Sequence, residues 1–104
     1  MSKDLVLKLK FLGIISQVGY TEYGFRIEND DKSYRLVVLT IKDALFQQNN
    51  LMIQEAPDLC YQKVLNDLDN ETTDFPIPAR IPITASDIVQ YRDLHPTAKH
   101  RKHS

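Results

Sequence analysis

The sequence predicts an α+β domain: a three- to four-stranded antiparallel sheet, opened by an N-terminal meander, with two or three helices packed mainly on one face. Three observations predict it. Between Leu5 and Thr40, apolar and polar side chains alternate with period two in three successive runs. Pro57 and Thr84 each stand at the head of a stretch whose apolar residues recur at helical spacing. Polar, acidic or proline-containing segments separate these stretches, as turns and connections require.

In chain order, Leu5–Ile15 sets Leu5, Leu7, Leu9 and Phe11 against Lys8 and Lys10, the pattern of a half-buried strand. Leu12, Ile14 and Ile15 then make it apolar on both faces, so its end is expected to be covered on its second side. Ser16-Gln17-Val18-Gly19 leads out of it. Glu22–Glu28 places Tyr23, Phe25 and Ile27 on one face and Glu22, Gly24, Arg26 and Glu28 on the other. Gly24 suits a bulge or a close contact there. Asn29-Asp30-Asp31-Lys32 reads as a turn, and Ser33–Thr40 as the third strand, with Tyr34, Leu36 and Val38 expected to face the core.

Thr40 and Asp43 have the spacing of a capped helix start, which predicts a short helix over Ile41–Gln47. Leu51–Ile53 is read as a short edge strand. From Pro57 to Leu68, Cys60, Val64 and Leu68 recur every fourth residue beside Tyr61 and Leu65, an amphipathic helix in which the Cys60 thiol acts as a small buried hydrophobe. The run Asp69 to Asp74 is a solvated acidic loop, and Phe75-Pro76-Ile77-Pro78 continues it in extended form. Arg80–Ile83 fits a strand only at a sheet edge, because Pro82 donates no ladder hydrogen bond. Thr84 and Asp87, with Ile83 and Ile88 as a hydrophobic staple, start a last helix over Ala85–Leu94 that ends before Pro96.

The 104 residues suit one core. The expected organisation is a single domain over residues 1–94 and a basic, disordered tail over residues 95–104. Residues 1–94 hold ten Lys and Arg against fourteen Asp and Glu, a net charge of −4, while the last ten residues carry +3. The lysines that interrupt the apolar residues near the N-terminus fit neither a signal peptide nor a membrane span, so a cytoplasmic protein with no membrane partner is expected. Cys60 is the only cysteine, which excludes an intrachain disulfide and a multi-thiolate zinc site.

Function is less constrained. His95, His100 and His103 all lie in the tail, so the domain lacks the commonest general base and metal ligand. The serines therefore have no triad partner, the three glycines form no phosphate loop, and the acidic run lacks a calcium loop's spacing. No catalytic, cofactor-binding or metal-ligating residue is assigned, and the protein is read as non-catalytic with no cofactor. The expected function is a small protein-interaction or oligomerisation module whose sheet edges pair with a partner strand or a second copy. The alternative is a nucleic-acid-associated regulator or accessory protein that attracts nucleic acid weakly through Arg26 and Arg35, read as sharing one outward face, and through Lys99, Arg101 and Lys102 in the tail. Those five residues are the candidate binding residues. An enzyme built on carboxylates or tyrosines is a third class, with no spacing to support it.

Overall fold

In the computed structural model, which describes residues 8–29 and 31–94, the chain begins with a β-meander. Strands β1 (Lys8–Gln17), β2 (Tyr20–Glu28) and β3 (Tyr34–Lys42) pair antiparallel in sequence order. Gly19, at φ +88°, closes the first hairpin in a conformation that glycine adopts most readily. After β3 come α1 (Asp43–Gln48), a 3₁₀ turn over Ile53–Glu55 and α2 (Ala56–Asn70). The chain then returns as β4 (Arg80–Pro82) and finishes its described part with α3 (Ala85–Leu94).

β4 lies at the sheet edge beside β3, as Pro82 requires, but runs parallel to it, Ile81 standing beside Leu39. The sheet is therefore mixed rather than purely antiparallel. The intervening helices carry the chain back to the starting end of β3, which a tight turn cannot do.

One layer of helix covers one face of the sheet. Tyr23, Phe25 and Ile27 of β2 meet Val37, Leu39 and Ile41 of β3 on that face, under Leu59, Cys60 and Val64 of α2 and Ile88 of α3. All are at most 2% exposed. The last helix starts as its sequence predicts. The Thr84 hydroxyl accepts from the Asp87 amide at 3.2 Å, the Asp87 carboxylate accepts from the Thr84 amide at 2.9 Å, and Ile83 and Ile88 are both buried. Such a cap is worth about 1 kcal/mol.

Four expectations are corrected. The third strand is turned over: Val37, Leu39 and Ile41 enter the core, while Tyr34 and Leu36 are exposed. The strand also runs on to Lys42, so Thr40 is a ladder residue whose carbonyl accepts from the Ile83 amide at 2.8 Å, and α1 starts after it. Leu51–Ile53 is not a strand. The Glu55 carboxylate reaches back to the Met52 amide at 2.9 Å and starts a 3₁₀ turn leading into α2. Finally, the end of β1 is not covered, and Leu12, Ile14 and Ile15 stay exposed. Leu5 and Leu7, with the tail from His95 onward, lie outside the described residues.

Candidate interaction surface

The helices leave the opposite sheet face open. Its side chains follow from the register: Lys8, Lys10, Ile15 and Gln17 of β1 lie across from Glu28, Arg26, Glu22 and Tyr20 of β2. Farther along the sheet, Leu36 and Val38 of β3 lie across from Arg26 and Gly24. A β-bulge places both Leu12 and Gly13 opposite Gly24, and a side chain added at Gly24 would touch the Leu12 Cβ at 3.8 Å. Gly13 has φ +153°, a backbone angle that suits glycine at the bulge.

The centre of this face is apolar. Leu12, Ile15 and Leu36 are 52–58% exposed, with the half-buried Val38 and the side-chain-free Gly24 among them. Charged pairs border this centre on two sides. On one, Arg80 meets Glu22 at 2.7 Å and lies over the Tyr20 ring at 6.0 Å. On the other, Arg26 lies 5.3 Å from the Tyr34 ring centroid and 3.7 Å from Glu28. The face thus combines an apolar centre with a polar rim containing Arg and Tyr. Around the β1 edge, Phe11 and Ile14 on the helical side are also exposed, because the helices stop short of this strand.

The two candidate arginines of the domain do not share a face. Arg26 belongs to the open side, whereas Arg35, across from Ile27, belongs to the helical side. There its two terminal nitrogens donate to the two Glu71 oxygens at 2.7 and 2.6 Å, and Glu71 also accepts from the Ile77 amide at 2.8 Å. Glu71 is thus a fastener between β3 and the loop after α2, not part of a solvated acidic run. The nucleic-acid reading loses its paired arginine face. Lys99, Arg101 and Lys102 fall outside the described residues.

The Arg35 guanidinium holds the Glu71 carboxyl below its ordinary value of 4.5. A carboxyl with a lowered folded pKa contributes stability above its unfolded value and loses it as pH falls through the folded value. Wild-type stability is therefore expected to decline below about pH 4.5, and Glu71→Gln to flatten that decline. At pH 7, Arg35→Met should cost about 1–2 kcal/mol, between the values for exposed and buried pairs because the arginine side chain is 39% exposed. Urea unfolding from pH 3 to 7 checks both.

A cleft of about 290 Å³ lies between α2 and α3, lined by Leu59, Lys63, Asn66, Asp87 and Tyr91 among others. Of its lining residues, Lys63 meets Asp87 at 3.2 Å and also Asp67 at 3.5 Å, and the Tyr91 hydroxyl donates to Asp58 at 2.6 Å. Among the described residues no three His, Cys, Asp or Glu side chains gather to hold a metal ion, and no helix is long and apolar enough to cross a membrane. Compared with protein-family models, curated proteins and solved structures, the chain matches none.

The structure places Arg26 on the open face, beside apolar residues that the sequence pattern assigns elsewhere. The alternation of β3 points Tyr34 and Leu36 into the core and the pattern of β1 predicts a covered end at Leu12 and Ile15, whereas all four are exposed. The available signal was the doubling of apolar residues on both faces of β1 and β3, which one helical layer cannot cover.

Proposed function

We propose that this domain is a protein-interaction module that receives its partner on the open sheet face and the adjoining β1 edge. The observation that carries this reading is the apolar centre of Leu12, Ile15 and Leu36, exposed on the face opposite the helices and bordered by the Arg80–Glu22 and Arg26–Glu28 pairs. Leaving apolar area of this kind in water forgoes about 25 cal/mol for each Å² that a partner would cover. Pocket chemistry is not needed for such a role, because affinity comes from covering that centre while the rim selects the partner.

The test is photo-crosslinking in the protein's own host. A photoreactive residue is placed at Ile15 or Leu36 and, as a control, at the exposed Ser86 at the start of α3. Polypeptide adducts, whether to this chain or another, should form from the first two positions and not from the third. Equal yields from all three, or none at all, would overturn the reading.

A further inference from the structure

We propose that the β1 edge pairs with the β1 edge of a second copy of this chain, antiparallel about a two-fold axis through the bulge at Leu12 and Gly13, joining two sheets into one of eight strands. This deepens the interaction-module reading and rests on it. Among the described residues β1 has a partner strand on one side only, and most of its ten residues are exposed. Its other edge is a row of backbone donors and acceptors available for strand pairing.

The bulge makes this pairing self-consistent. Two strands related by a two-fold axis perpendicular to the sheet must place each residue across from one that points to the same face. In an unbroken strand, a residue and its neighbour three positions on point to opposite faces. Here the extra residue at Leu12 brings Phe11 and Ile14 to the same face, since they pair with Phe25 and Tyr23, both buried beneath the helices. Phe11 can therefore sit across from the second copy's Ile14. The same register sets Leu9 against Ser16 on the helical side, and Lys10 against Ile15 and Lys8 against Gln17 on the open side. Every one of these matches agrees with the faces fixed by β2.

Charge favours the antiparallel sense. A parallel arrangement in register would bring Lys8 onto Lys8 and Lys10 onto Lys10, whereas here each lysine faces an uncharged residue. Lysines and a bulge are devices by which edge strands refuse unselective pairing. In this register they select instead, because the bulge lies on the axis and the lysines at the two far ends. Ten residues a side is below the ~20–30 of a standard interface, so a dimer that dissociates in about the micromolar range is expected.

The test compares Ile15→Glu with Ile15→Lys by sedimentation of the full chain from about 1 to 200 µM. Ile15 is 58% exposed, so the fold tolerates either, and circular dichroism on dilute samples confirms it. Two-fold pairing brings each new charge against the second copy's Lys10, so Ile15→Glu should dimerise about tenfold more tightly than Ile15→Lys. Within one chain the preference is reversed, because Ile15 lies across from Glu22, so a purely intramolecular effect would favour lysine. A register check mixes Lys10→Cys chains with Ile15→Cys chains under oxidation. They should link, while Lys10→Cys mixed with Ile14→Cys, whose side chain points to the other face, should not. Wild-type protein that stays at 12.0 kDa throughout, or glutamate and lysine variants that behave alike, would overturn the pairing. Photo-adducts from Leu36 to other proteins would then still support the interaction-module reading, so failure of one is distinguishable from failure of the other.

Discussion

Phe25→Ala should cost about 3–5 kcal/mol and lower the midpoint of thermal unfolding by roughly 15–30 °C, the largest single effect expected in this domain. Phe25 is fully buried, lies across from Val37, and has the rings of Phe11 at 5.3 Å and Tyr61 at 6.2 Å. Truncation leaves a cavity at the junction of β1, β2 and α2. Neither Phe11, fixed to the edge strand, nor Tyr61, fixed to α2, can collapse into it without moving its own element. A paired measurement on β3 makes the result diagnostic of the fold. Val37→Ala should cost about 1–3 kcal/mol, and Leu36→Ala, one residue away on the open face, well under about 1 kcal/mol in the dilute monomer. Were Leu36 in the core, as the alternation of β3 first suggests, the order would be reversed. Urea unfolding of the three variants at low concentration decides it.

Why β2 was legible and β3 was not has a physical answer. In β2 the alternation is unambiguous, because Glu22 and Arg26 occupy the face opposite Tyr23, Phe25 and Ile27. In β3 both faces are apolar, and a one-residue choice of register exchanges them completely. That choice is made by pairing with β2, which puts Val37 against Phe25 and Leu39 against Tyr23, and by the turn before β3, where the Asn29 amide donates to the Ser33 carbonyl at 2.9 Å. Neither is readable from β3 alone. The same holds for Arg35 and Glu71, which are 36 residues apart in sequence and meet only because β3 and the α2 exit converge. By contrast, α3 was readable to its first residue, since Thr84, Asp87, Ile83 and Ile88 act within one helical turn and its entry.

The misread face and the candidate surface are one phenomenon. A strand that is apolar on both sides requires two coverings, and one layer of helix supplies only one. In β3 the uncovered side contributes Leu36 and Tyr34, and in β1 the bulge adds Leu12 to Ile15 on the same side. Positions where local pattern and tertiary structure disagree are where interaction surfaces are expected, because residues kept for a partner break the polar-outside rule of the isolated domain. In the proposed role, the charged pairs that border these residues would limit which surfaces can approach.

Cys60 should be almost inert in the folded protein and reactive only through opening of the domain. Its side chain lies in the core beneath the sheet, and burial, with a smaller contribution from the Asp87 charge, pushes the thiol up to about 12 from its ordinary value of 9.0. At pH 8 the thiolate is then about a thousandfold scarcer than in an exposed cysteine, before access is considered. Alkylation by iodoacetamide should therefore follow the opening equilibrium, and Phe25→Ala should accelerate it steeply while Leu36→Ala does not. Alkali extends the same logic. Tyr23 is also raised to about 12 from 10.0, first by its burial and then by the Cys60 charge. A raised folded value means that this stability is complete below the unfolded pKa and lost as pH climbs through the folded one. Stability should thus fall from about pH 9 toward pH 12, at up to about 1.4 kcal/mol per pH unit for each group. Cys60→Ala should reduce that slope over its lower part, where only the unfolded chain's thiol is ionising. Unchanged slope in that variant, or alkylation of the native protein at the rate of a free thiol, would mean that the helix layer does not seal the sheet as the packing of α2 implies.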